Sequence, residues 1–213
     1  PAGNDLPFDE SLCEQGRNFS NKIWNAFRLI KGWEIKDIDQ EQASIDGIKW
    51  FENKLNYTIK EIDISFSKYR ISEALMLTYK LVWDDFCSQY LEIIKPDYQQ
   101  PIDEETYNKT ILFLENILKL LHPFMPFLSE EIWHLIDERK SDIIITKWPE
   151  AKSIDKQLIN DFNNTMEVVS SIRNIRKEKN IAKKEELDLF VISDKKADNN
   201  FDATIKKLGN LSS

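Results

Sequence analysis

Glycine and proline are scarce in this sequence, five and seven among 213 residues. A sandwich or barrel needs many turns and so consumes both, which makes long helices the better reading of a chain rich in Leu, Ile, Lys, Glu and Asn. Cysteine is scarcer still. Cys13 and Cys87 sit inside helix-like patterns with no signal-peptide arrangement ahead of them, so no disulfide partner is expected and a reducing cytoplasm fits. Histidine is limited to His122 and His134. No helical i, i+4 ligand pair is read here, no Gly-rich phosphate loop, no nucleophile elbow and no metal-binding cysteine pair. Catalytic residues, metal ligands and a cofactor are therefore not expected within this chain. Its apolar runs fall short of the ~20 residues that a bilayer-spanning helix requires, so no membrane role is expected.

What the sequence does contain is apolar residues at helical spacing. A first helix is expected from an N-cap at Asp9 to a stop at Gly32, with Leu12, Phe19, Ile23, Ala26, Phe27 and Ile30 as its buried stripe. Ile48, Phe51, Leu55, Ile59, Ile62 and Phe66 mark a second helix. A third, from about Ile71 to Ile94, has Leu75, Val82, Phe86 and Ile93 on one side, widened by Leu77, Leu81 and Trp83. Pro96 and Pro101 bracket a loop, and Glu104 to Leu121 repeats the pattern. Two prolines interrupt the run from His122 to Leu128, with Ser129 then reading as the cap of a restart through Ile136. Ile143 to Trp148 reads as extended. Leu158, Phe162, Met166, Val169 and Ile172 mark another long helix. After Lys184, a β-favourable stretch at Leu187 to Ser193 and a short helix carrying Phe201, Ile205 and Leu208 suggest a small α+β appendage. The fold expected is an all-α helix bundle with that appendage at its C-terminal end.

The net charge of −8 argues at first against a polyanionic partner, but its distribution is uneven. Residues 17–36 carry Arg17, Lys22, Arg28, Lys31 and Lys36 against Glu34 alone. Residues 173–184 carry Arg173, Arg176, Lys177, Lys179, Lys183 and Lys184 against Glu178 alone. On an ideal helix Arg17, Asn21, Asn25 and Arg28 fall within roughly 80° of one another, and Asn18 and Lys22 widen that stripe. Three asparagines inside a helix are a local cost, which a merely soluble face would avoid with Glu and Lys. Asn offers a donor and an acceptor and Arg a planar fork, the groups that read the edges of unpaired RNA bases. Trp24 and Trp33 could supply stacking surfaces. The same stripe could instead bond from helix to helix, the tryptophans could be core, and the second cluster could simply complement a helix C-terminus.

The run RNFSNKIWNAFRLIKGW, residues 17–33, resembles the opening helix of the anticodon-binding domain in valyl-tRNA synthetases. RISEALMLTYKLVWDDFCSQYLEIIK (70–95), LLHPFMPFLSEEIW (120–133), ITKWP (145–149) and IRNIRKEKNI (172–181) are similar to that family's successive segments. The third and fourth are shared with the synthetases for Ile, Leu and Met. The valyl likeness rests on Arg17-Asn18-Phe19 with Asn21-Lys22 and Trp24-Asn25, and on Ile172-Arg173-Asn174-Ile175-Arg176. Neither the HIGH-type nor the KMSKS-type ATP-binding signature occurs in these residues.

The resemblance implies residues 1–8 as a linker from an upstream catalytic body, 9–180 as a helical anticodon-binding domain and 181–213 as the truncated appendage. It also implies a parent enzyme that joins valine to its tRNA using ATP and magnesium, with this part binding that tRNA as a monomer. The tRNA-binding residues expected are Arg17, Asn18, Asn21, Lys22, Asn25, Arg28 and Trp33 at one place, and Arg173, Arg176, Lys177 and Lys179 at another. The competing class is a helical protein-interaction scaffold with incidental basic clusters, which a flat response of binding to salt and RNA sequence would favour.

Overall fold

The computed structural model describes residues 9–190 and 201–212. Helix α1 (Glu10–Lys31) begins where Asp9 accepts a hydrogen bond from the Ser11 N–H, and ends at Gly32, whose N–H returns to the Arg28 and Leu29 carbonyls. Helix α2 (Gln42–Ser67) is the central helix: Phe51 is fully buried, with ring centroids of Tyr90, Phe86 and Phe113 at 4.8, 5.4 and 5.0 Å. Gly47 permits this helix a close approach, because a Cβ there would sit 2.9 Å from Ile93 Cγ2.

The third helical run is not uniform. It begins as α3 (Ile71–Lys80), widens into a π-helical stretch (Leu81–Tyr90) and closes as α4 (Leu91–Ile94). Each π turn takes more residues than an α turn, so a single 3.6-residue period cannot be drawn through it. Leu75, expected on the buried side, is 43% exposed, while Tyr90, Leu91 and Ile94 join Val82, Phe86 and Ile93 inside. Leu12, too, is exposed, two turns before the buried stripe of α1 begins at Phe19.

Helix α5 (Glu104–Leu121) is capped by Asp103, whose carboxylate accepts the Thr106 N–H at 2.8 Å. Just before it, β2 (Ile102–Asp103) pairs in parallel with β1 (Ile35–Lys36), a two-residue clasp between the loops after α1 and α4. Helix α6 (Pro126–Ile136) starts earlier than expected. Pro126 occupies the first turn, where its missing N–H costs nothing, and Ser129 lies buried inside the helix with its hydroxyl on the Met125 and Pro126 carbonyls.

Ile143 to Trp148 is not a strand: it holds a 3-10 turn (Ile143–Ile145) followed by an irregular strap along α2. Three α2 side chains pin that strap. Asp63 accepts from Trp148 Nε1, Asn56 from the Lys152 N–H and Asn53 from the Asp155 N–H, at 2.8 to 2.9 Å. Helix α7 (Lys156–Glu178) then lays Phe162 on Trp50, and α8 (Asp202–Gly209) follows with Phe201 against Phe162. The C-terminal helix is thus joined to the bundle core. The β character expected at Leu187 to Ser193 is represented, among the described residues, by a single parallel bridge between Leu187 and Leu211, and residues 191–193 lie outside them. The protein is an all-α bundle with a small C-terminal appendage. Among the described residues no helix is long and apolar enough to cross a membrane.

Candidate nucleic-acid interface

One face of α1 is packed and the other is free. Phe19, Ile23, Ala26, Phe27 and Ile30 are buried, while Arg17, Asn18, Asn21, Asn25 and Arg28 are exposed. The side chains of Asn18, Asn21, Asn25 and Arg28 hydrogen-bond to no other described residue. Arg17 has only a loose ion pair with Glu14 at 3.7 Å. Among the described residues, these five side chains therefore do not bond from helix to helix, and their donors and acceptors face solvent; Lys22 alone of the stripe reaches a neighbouring helix.

A groove of about 400 Å³ runs beside it, walled on the α1 side by Asn18, Asn21, Lys22 and Asn25 and floored by Cys87 and Leu91. Lys22 is held in place. Its Nζ lies 4.3 Å from the centre of the Trp83 ring and donates to Ser88 Oγ at 3.1 Å, while Ser88 donates to the Trp83 carbonyl five residues back, as the π geometry allows. Trp83 in turn stacks on Tyr79 with 8° between the ring planes, and Tyr79 on Phe19 with centroids 4.8 Å apart. Burial pushes the Cys87 thiol up to about 12, so the groove floor is an apolar, protonated sulfur and not a nucleophile.

Trp33 is half-buried and packs against the core. It lines a separate hollow beyond the end of α1, together with Glu34, Lys95, Pro96 and Gln99. Trp24 is likewise half-buried, tilted against Phe27 at 5.8 Å. Neither shares the asparagine groove. The aromatic that holds the groove's Lys22, Trp83, was read from the sequence as core. Its link to Lys22 crosses between helices, and no spacing within one helix signals that.

In the second basic cluster Arg173, Lys177 and Lys179 are exposed at the C-terminal end of α7. Arg176 is different and corrects the expectation of four phosphate-contacting cations. It is 6% exposed, and its guanidinium donates to the carbonyls of Ala182, Glu185, Gly209 and Asn210 at 2.9 to 3.1 Å. A cation whose terminal nitrogens are taken up by four carbonyls ties the chain after α7 to the end of α8 and is not free to meet a phosphate. Arg173, Lys177 and Lys183 line the cavity beside it, of about 730 Å³, with Glu92 the one acidic residue among its walls.

The histidines also depart from the sequence reading. Glu130 and His134 are an i, i+4 pair on α6, with His134 Nε2 3.1 Å from Glu130 Oε1, a ligand-type pairing that the sequence reading missed.

Residues 48–191 match the family model described as the anticodon-binding domain of tRNA ligase. The chain belongs to that family. Over its full length this anticodon-binding domain is 52% identical to a valine–tRNA ligase of Christiangramia forsetii and 51% identical to one of Parabacteroides distasonis. Over 84% of its length it is 37% identical to a valine–tRNA ligase of Fusobacterium nucleatum. It spans 24%, 24% and 22% of those relatives, about a quarter of their length. The family match takes in the second basic cluster and the π stretch but not α1, for which the likeness rests on the relatives alone.

Proposed function

We propose that this domain is the tRNA-binding part of a valine–tRNA ligase, cytoplasmic and monomeric, whose catalytic body lies in the remainder of the polypeptide and uses ATP and magnesium. In this reading residues 9–180 receive the anticodon stem-loop, residues 1–8 link to the catalytic body and 181–213 begin a C-terminal appendage. Arg17, Asn18, Asn21, Asn25 and Arg28 meet the edges of unpaired bases, and Lys22 fixes the wall of their groove. Trp33, in its own hollow, offers a stacking surface beyond the helix end. Arg173, Lys177 and Lys179 meet phosphates, which position the RNA without reading it.

The observation that supports this reading is the row of exposed asparagines whose amides hydrogen-bond to no other residue among those described. An amide pays for its poor helix propensity only when a partner takes up its donor and acceptor, and a single-stranded loop presents such partners. Titrating the domain with the valine tRNA and with an anticodon variant, at two salt concentrations, tests it. Tighter binding of the correct anticodon at both salts is expected; equal binding of the two, with affinity set by salt alone, would leave only phosphate attraction.

A further inference from the structure

The corner between α6 and the turn that follows it gathers three potential ligands on one point. Glu130 and His134 lie one helical turn apart, and the chain folds back so that Asp142 reaches the same imidazole nitrogen. His134 Nε2 is 3.1 Å from Glu130 Oε1 and 3.2 Å from Asp142 Oδ1, and the three atoms lie within 4.8 Å of one another. One ring nitrogen carries at most one proton and can satisfy only one of those two oxygens well. Around a divalent transition metal with bonds of about 2.0 to 2.2 Å, neighbouring ligand atoms stand roughly 3.0 to 3.5 Å apart. The two measured nitrogen-to-oxygen separations fall in that interval. The carboxylate oxygens need only close to the same spacing, which Asp142, with its side chain 66% exposed, has the freedom to do.

Two further features suit a cation. Neither Glu130 nor Asp142 is paired with a lysine or arginine among the described residues, so the two carboxylates face only imidazoles, His134 between them and His122 behind Glu130. Glu130 is also oriented from behind: the Ile143 N–H donates to its carboxylate at 3.1 and 3.2 Å, and His122 Nδ1 stands 3.8 Å from Oε2. An outer layer of this kind holds a ligand's direction before the metal arrives.

We infer that Glu130, His134 and Asp142 form a site for a single divalent transition metal of the Zn²⁺ class, which fastens the 137–142 loop to α6. With one nitrogen and two oxygens as ligands, the remaining positions fall to water, and zinc is preferred over magnesium because the imidazole is the deciding donor. This inference is independent of the tRNA-binding reading.

Calorimetric titration of the full chain with Zn²⁺ tests it, in a Cys13→Ser background that removes the exposed thiol, with circular dichroism to confirm the fold of each variant. One saturable site per chain is expected, with a rise in Tm and no competition from a large excess of Mg²⁺. His134→Ala and, separately, Asp142→Asn should each weaken binding at least about tenfold while leaving the helical spectrum unchanged. Absence of a saturable site overturns the inference. So does binding that survives His134→Ala and disappears in His122→Ala, which would place the metal elsewhere. Should His134→Ala unfold the chain, Asp142→Asn alone decides, since that residue lies in an exposed loop.

Discussion

Trp50 of α2 lies almost flat on Phe162 of α7, with ring centroids 3.8 Å apart and 15° between the planes. This contact is the main aromatic joint between the bundle centred on Phe51 and the helix that carries the second basic cluster. Phe162 is fully buried and also receives Phe201 edge-on, so α8 reaches the core through it. Phe162→Ala should cost about 3 to 5 kcal/mol, lowering Tm by roughly 10 °C in a chain of this size. Thermal unfolding followed by circular dichroism measures this, and a loss below about 1 kcal/mol would mean that α7 is held by other contacts.

Asp85 sits 3.5 Å from Lys54 in the π stretch, and burial raises its carboxyl from the ordinary value to about 6, with Lys54 only partly opposing the shift. A carboxyl with a raised folded-state value binds its proton more tightly when folded. Its contribution to stability is therefore complete below about pH 3.8 and is lost as pH rises through about 6. Asp85→Asn should flatten that part of the stability profile, removing a decline on the order of 3 kcal/mol between pH 4 and 7. Urea denaturation at several pH values would reveal it, and parallel profiles for the two proteins would contradict it.

Arg173 and Arg176 are one helical turn apart and predicted to fail differently. Arg173→Ala should leave stability unchanged, weaken all tRNAs alike and reduce the salt slope of binding by about one. Arg176→Ala removes one donor from each of four carbonyls, leaves the buried Gly209 carbonyl without a side-chain partner and should destabilise the chain on the order of 3 kcal/mol. Hydrogen exchange at Leu187 and Leu211, whose backbones hold the C-terminal bridge, should accelerate in that variant. Unchanged exchange together with lost RNA affinity would reverse the assignment and return Arg176 to the phosphate-binding set.

The elements legible in the sequence were those decided by local chemistry. Asp9 and Gly32 bound α1 because capping is a property of a few adjacent residues, and Glu104 to Leu121 is α5 because its period is uninterrupted. Leu75 fell off the buried line because the π stretch changes the period, which a 3.6-residue template cannot register. Ser129 looked like a cap because Ser before two glutamates usually is one, yet Pro126 had already begun the helix. Arg176 looked like its exposed neighbours because only the returning chain, 6 to 34 residues away, supplies the carbonyls that enclose it. The same holds for Lys22 on Trp83 and for Asp142 on His134: each depends on two segments meeting. The polar stripe of α1 was readable as a stripe, but that its amides meet no partner among the described residues required the packed bundle.

Asn21→Ala tests the central claim most directly. Asn21 is exposed, lines the groove beside α1 and its side chain makes no hydrogen bond among the described residues, so its removal should shift Tm by no more than a degree or two. In the enzyme containing this chain, the substitution should lower kcat/KM for the valine tRNA by about ten- to a hundredfold, the loss of one or two base-edge contacts at about 1 to 3 kcal/mol each. The preference for the correct anticodon over a variant should shrink by a similar factor, while adenylate formation stays unchanged. A folded Asn21→Ala enzyme that distinguishes the two anticodons as well as the parent does would contradict the account and place the reading surface away from this face of α1.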